Sequence, residues 1–154
     1  MTAEATLAAL GIQLPSAPDP KGLYRPLVLV DRLAHTSGHL PVAADGLLVT
    51  GRLGAELDER AGRAAARLTG LSILATLRKE LGSLDRVVRV VKLFGLVNST
   101  PDFTAQPAVI NGCSELFAEV FGHDVGVGAR SAVGAASLPL GAAVEIEAIF
   151  EIEP

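Results

Sequence analysis

Tryptophan is absent from the chain, cysteine and tyrosine occur once each, and aromatics make up only 4% of 154 residues. A lone cysteine, Cys113, excludes an internal disulfide and fits a reducing compartment. Thirteen Lys and Arg stand against 17 Asp and Glu, for a net charge of −4. The basic residues are dispersed and stacking rings are scarce, so no nucleic-acid face is expected. Charges or glycines interrupt every apolar run before it reaches the length of a membrane span, so no membrane partner is expected. The start of the chain carries Glu4 and no early Lys or Arg. It does not read as a signal peptide, and a cytoplasmic location is expected.

Metal and cofactor signatures are also missing. Of three histidines, His35 and His39 fall four apart on an expected strand and turn, where that spacing does not bring them together. No metal is expected. Ser37 and Ser131 lie outside any Gly-x-Ser-x-Gly elbow. The glycines at 122, 126 and 128 precede a strand rather than a helix and lack a following Lys-Ser/Thr, so they make no phosphate loop. Cys113 reads as a small hydrophobe on a helix rather than a nucleophile.

What the chain does have is apolar residues, at 49% of the total, with a mean hydropathy of +0.42. A single domain of this length does not need so much for its own core, so the surplus is expected to meet another subunit. A short helix is expected over 3–10, followed by a proline-rich extended segment at 14–22. Strands are expected over 24–31 and 33–37 as a hairpin turning at Asp31-Arg32. A long helix is expected over 58–81, with Leu57, Ala61, Ala65, Leu68 and Leu71 at helical spacing and Gly82 as its stop. Arg60, Arg63 and Arg67 form a stripe on that helix, read as a solvated face. A strand over 86–98 is apolar on both sides and so expected to be covered on both. A second helix is expected from about Phe103 to Val120, started by Ser99, Thr100 and Pro101. A loop over 123–128 and two strands, 130–135 and 143–152, complete the order. On the last strand Val144, Ile146, Ala148, Phe150 and Ile152 share one face.

The chemistry concentrates at Arg130, flanked by Ala129, Ser131 and Ala132. Small neighbours leave space around a guanidinium, whose fork of donors matches a carboxylate. If the last two strands are antiparallel neighbours, Glu145 or Glu147 comes within reach. That pairing supports two readings. One is a structural ion pair; the other is a site in which Arg130 holds a substrate carboxylate and Glu145 orients a water.

Thr36-Ser37-Gly38-His39-Leu40-Pro41, Leu84-Asp85-Arg86-Val87-Val88, Asp102-Phe103, Ala129-Arg130-Ser131-Ala132-Val133, Leu138-Pro139 and Val144-Glu145-Ile146-Glu147-Ala148 occur in this order. Together they resemble the RidA-like family of reactive-intermediate deaminases (YjgF type), also called the L-PSP endoribonuclease family. The resemblance is to a longer subgroup, with residues 1–22 as an N-terminal extension and 23–154 as the RidA-like domain. It implies an α+β fold of the chorismate-mutase-like, bacillus type: a six-stranded mixed sheet with two helices on one face. It further implies a homotrimeric barrel with pockets between subunits, and no cofactor. The implied activity is hydrolysis of enamines and imines such as 2-aminoacrylate to 2-oxo acids and ammonia. In that resemblance Arg130 binds the substrate carboxylate and Glu145 stands near the attacking water. Tyr24 lies at the pocket entrance, Ser37 and Gly38 line the pocket, and Asn111 is a polar residue on the second helix. Ala132 stands where the family often has Cys, and Gly126-Val127-Gly128 replaces a Pro-containing lead-in. The alternatives are a trimeric binding or sensing protein for a small carboxylate and, argued against by charge and histidine placement, a ribonuclease.

Overall fold

A computed structural model describes residues 1–153. The elements are α1 (Ala3–Ala9), β1 (Leu27–Val30), β2 (Leu33–Thr36), α2 (Glu59–Leu81), β3 (Val87–Asn98), α3 (Gln106–Phe121), α4 (His123–Gly126), β4 (Ala129–Ala135) and β5 (Val144–Ile152). They build one mixed sheet of five strands in the order β1-β2-β5-β3-β4. Only β3 and β4 run parallel. The other neighbours are antiparallel. A parallel pair needs a crossover, and α3 supplies it.

The implied sixth strand does not form among the described residues. Between β2 and α2 the chain meets the sheet and itself only through isolated bridges such as His39 to Ile146 and Thr50 to Ala142. Pro41 has no N–H to donate, and Gly46 and Gly51 bend the chain at φ of 82° and 122°. A continuous ladder cannot survive those interruptions.

The long helix begins where the sequence says it should. Asp58 caps α2 by accepting the Ala61 N–H at 2.8 Å, and Gly82 closes it at φ 85°. The second helix starts later than expected. Ser99 N–H donates to Ala135 C=O and Thr100 N–H to Leu53 C=O, so these residues tie the end of β3 to its neighbours instead of capping a helix. The expected loop over 123–128 contains the single turn α4.

Both long helices lie on one face of the sheet. Their backbones come close: a Cβ on Gly112 of α3 would sit 2.0 Å from the Arg63 carbonyl oxygen of α2. Along this seam Arg63 pairs with Glu115, and Arg67 with Glu119 at 2.7 Å. Two of the three arginines of the stripe, Arg63 and Arg67, therefore form an interhelix ion-pair ladder at the surface. Beneath it, Phe117 of α3 meets Phe150 of β5 edge to face at 5.6 Å. Cys113 is fully buried against Gly70 of α2, and burial pushes its thiol far up from its ordinary pKa.

The short α1 is part of this core, with Ala3 and Leu7 buried. Glu4 fixes it in place. Its carboxylate takes Arg78 through two nitrogens and the Leu84 N–H at 3.0 Å, while its own N–H donates to Asp85 Oδ1 at 2.9 Å.

Alternation along β5 holds as expected, with Val144, Ile146, Ala148, Phe150 and Ile152 all buried. On β3 it does not. Two register shifts, between Val87 and Arg89 and between Val90 and Lys92, put Val90 with Leu93 in the core and leave Val91 exposed. The sheet face away from the helices carries Val28, Val30, Leu33, Phe94, Leu96, Val133 and Ile149 together with His35, Lys92, Ser131, Glu145, Glu147 and Glu151, and neither long helix lies over it.

Candidate functional site

Arg130 enters the sheet opposite Leu93 on β3, on the helix-covered face. Its Nη1 donates to Asn111 Oδ1 at 2.7 Å and to Ser114 Oγ at 3.1 Å. Asn111 and Ser114 stand three apart on α3, one turn along the same helix face. Asn111 was an expected site residue. Ser114 was not, although its i, i+3 spacing from Asn111 is legible. Among the described residues no carboxylate neutralises Arg130. A cavity of about 300 Å³ opens beside it, walled by Val90, Leu93, Val127 and Gly128. The two glycines of the lead-in allow this packing. A Cβ at Gly126 would lie 2.3 Å from the Phe117 carbonyl oxygen, and one at Gly128 would lie 2.5 Å from that of Val90.

The remaining expected residues gather elsewhere. Tyr24, Ser37, Gly38 and Glu145 line a second cavity of about 560 Å³, together with His39, Leu48 and Leu140. Glu145 reaches this cavity from β5. Its carboxylate lies against the Gly38 backbone, where a Cβ would fall 2.1 Å from Oε1. Burial first, and then the charge of Glu147, raise the Glu145 carboxyl above its ordinary pKa. Ser37 Oγ donates to the Arg25 carbonyl at 2.7 Å, pinning the turn to the chain entering β1. Tyr24 is half exposed, and its hydroxyl accepts the Lys21 N–H at 3.4 Å.

His39, one residue of the Thr36–Pro41 motif, is a positioning residue. It is buried, and its backbone exchanges both hydrogen bonds with Ile146. Nδ1 meets the Ser37 carbonyl at 2.7 Å, which puts the proton on Nδ1. Nε2 then accepts from Thr76 of α2 at 2.8 Å. Burial lowers the His39 pKa, partly offset by the Ser37 hydrogen bond. This strut fixes the turn that carries Ser37 and Gly38. No group of three or more His, Cys, Asp or Glu among the described residues is placed to hold a metal.

The expected neighbourhood of Arg130 and Glu145 is corrected by the strand order. β3 lies between β4 and β5. Arg130 is in register with Leu93 and Glu145 with Leu96, three residues along, so the two side chains leave opposite faces. They stand about 10 Å apart across the sheet and about 10 Å along it. Within one chain they form neither an ion pair nor a common pocket.

One five-stranded mixed sheet with two helices on one face defines an α+β fold of the chorismate-mutase-like class. The chain belongs to the YjgF/chorismate mutase-like family, whose model matches residues 4–151. Protein TCP17 of Trypanosoma cruzi is 49% identical to it, over 96% of this chain and 92% of that one. The crystal structure of an endoribonuclease candidate from Shewanella oneidensis is 31% identical with a TM-score of 0.93, covering 99% of this chain and all of that one. RidA from an Antarctic Psychrobacter is 28% identical with a TM-score of 0.63, over 89% of this chain and 94% of that one. No helix among the described residues is long and apolar enough to cross a membrane.

Proposed function

We propose that this protein hydrolyses small imines and enamines bearing a carboxylate, releasing a 2-oxo acid and ammonia. The observation that carries this reading is the unneutralised Arg130 guanidinium, held by two neutral partners beside an open cavity. A charge left without a counter-ion in a walled pocket favours an anionic ligand. Membership of the YjgF/chorismate mutase-like family, with a RidA among the structural relatives, supports this reaction class.

Arg130 holds the substrate carboxylate and so fixes the C=N carbon. Glu145, as carboxylate, accepts a proton from water as its oxygen adds to that carbon. Glu145 returns that proton to nitrogen, giving the carbinolamine; the carbinolamine hydroxyl proton is then transferred to nitrogen as the C–N bond breaks, so the C=O forms and ammonia leaves. Because Arg130 and Glu145 lie on opposite faces, this step needs Arg130 of one copy and Glu145 of another. A trimer with shared pockets meets that need. No step calls for a cofactor.

A second reading is a carboxylate-binding protein without turnover. The separation of Arg130 from Glu145 favours it, because Arg130 alone suffices to bind. The ribonuclease reading gains nothing, since His39 is locked into the fold and His123 meets only the neighbouring Asp124, at 4.0 Å and fully at the surface.

The test is 2-oxo acid release from 2-iminopropionate generated in situ. Arg130→Ala is expected to lose activity by about 100-fold or more while remaining folded. If wild type is inactive but binds 2-oxo acids, the binding reading replaces hydrolysis.

A further inference from the structure

The cavity beside Glu145 is far larger than a three-carbon imine requires. Cavities of about 300–1,000 Å³ take drug-sized ligands, and this one measures about 560 Å³. Its wall is mostly carbon: Pro18 and Pro20 from the extended N-terminal segment, Tyr24, Leu48 and Leu140 all face it. Glu145 is the acid at its floor, while Asp19 and Lys21 belong to the segment that roofs it.

Two features show that this wall is built. The N-terminal segment is anchored upstream of the cavity, with Ile12 and Leu14 packed on the core. Leu140 is held at φ 59°, ψ 14°, and is 67% exposed. A leucine in the left-handed region costs on the order of 1 kcal/mol, and exposing its side chain forgoes burial as well. Both costs persist at the rim of this cavity.

We infer that the cavity is a side-chain subsite, and that the ligand is a 2-imino or 2-oxo acid with a branched aliphatic or aromatic side chain. This rests on the carboxylate reading of Arg130. With the carboxylate on Arg130 of a neighbouring copy and the reacting carbon near Glu145, the side chain extends between the proline strap and Leu140. Pro18, Pro20, Leu48 and Leu140 are then specificity-determining residues, and the N-terminal extension is part of the binding site.

Equilibrium titration of the full chain with 4-methyl-2-oxopentanoate and with pyruvate tests this without depending on turnover. The larger acid is expected to bind about tenfold more tightly, from burial of its extra carbons. Leu140→Ser, at an exposed position that should fold normally, and Leu48→Ser are expected to bring the ratio close to one, chiefly by weakening binding of the larger acid. Equal binding of the two acids to wild type, or a ratio untouched by both variants, overturns the inference. The imines made in situ from leucine and alanine separate the two readings. Selective binding with no hydrolysis of either imine leaves the subsite standing and removes the deaminase. Hydrolysis that favours the alanine imine removes the subsite and keeps the deaminase. Binding of neither acid removes both.

Discussion

Glu145 and His39 are displaced from their usual pKa values in opposite directions, and each makes a prediction about pH. Glu145 is raised by burial and by Glu147, so its carboxylate form appears only above the usual carboxylate range. If it accepts the proton from water, kcat/KM for imine hydrolysis falls on an acid limb set by that raised value. Glu145→Gln is expected to lose about 100-fold in rate and to lose the limb as well. An unchanged limb in that variant would assign it to another group. His39 is lowered by burial and stays neutral in the fold, whereas the unfolded chain takes up a proton near its ordinary pKa. Its contribution to stability is therefore full above the unfolded value and lost as pH falls through the folded one. Thermal unfolding followed between pH 8 and pH 5 is expected to show a shallower pH slope in His39→Gln than in wild type.

Among the elements, α1 makes the sharpest prediction. Proline spacing marks 14–22 as a linker, and the sequence alone makes 1–22 look like an extension. In the structure Glu4 joins α1 to α2 through Arg78 and to the turn before β3 through the Leu84 N–H. Glu4→Ala removes a bidentate, half-buried pair and leaves a backbone donor without its partner. It is expected to cost about 1–2 kcal/mol, read as a shift in the urea midpoint with an unchanged slope. This contact was not legible, because its partners lie 74 and 80 residues away and no local pattern encodes them. Periodicity and caps did carry much of the rest. The 3.6-residue spacing and the Asp58 and Gly82 ends located α2, and strict alternation located β5. The same signals failed on β3, where the register shifts obey pairing with β5 and not the strand's own sequence. They failed again at Ser99–Pro101, whose helix-cap chemistry is used to tie off a sheet. The site was legible as residue types, with Arg130, Asn111 and Glu145 each lining a cavity. It was misjudged in its assembly, because a sequence does not show that β3 lies between β4 and β5.

For the whole molecule that interposed strand decides the argument. One sheet face is covered by α2 and α3. The other leaves Val28, Val30, Leu33 and Val133 between 37% and 53% exposed, beside Phe94, Leu96 and Ile149. The acids and Lys92 on this face can stay wet, but the valines, Leu33 and Ile149 gain from a second layer, which in the proposed assembly is another copy of the chain. Covering it would also answer the chemical problem, since Arg130 and Glu145 can meet only across a boundary between copies. The two requirements can be tested together. Arg130→Ala and Glu145→Gln are each expected to be inactive. Unfolded together and refolded as a 1:1 mixture, they should form mixed oligomers of cyclic symmetry. A site that takes its arginine from one copy and its glutamate from the next is then intact about one time in four, when the donors happen to be the unaltered ones. Imine hydrolysis is thus expected to return to about a quarter of the wild-type rate per site. Sites contained in single chains would give no recovery at any mixing ratio. Val133→Glu, on the uncovered face and away from both cavities, should keep the helical circular dichroism while releasing monomers in sedimentation. Those monomers should be inactive although every proposed catalytic residue is present, because each would then hold two unconnected halves of a site.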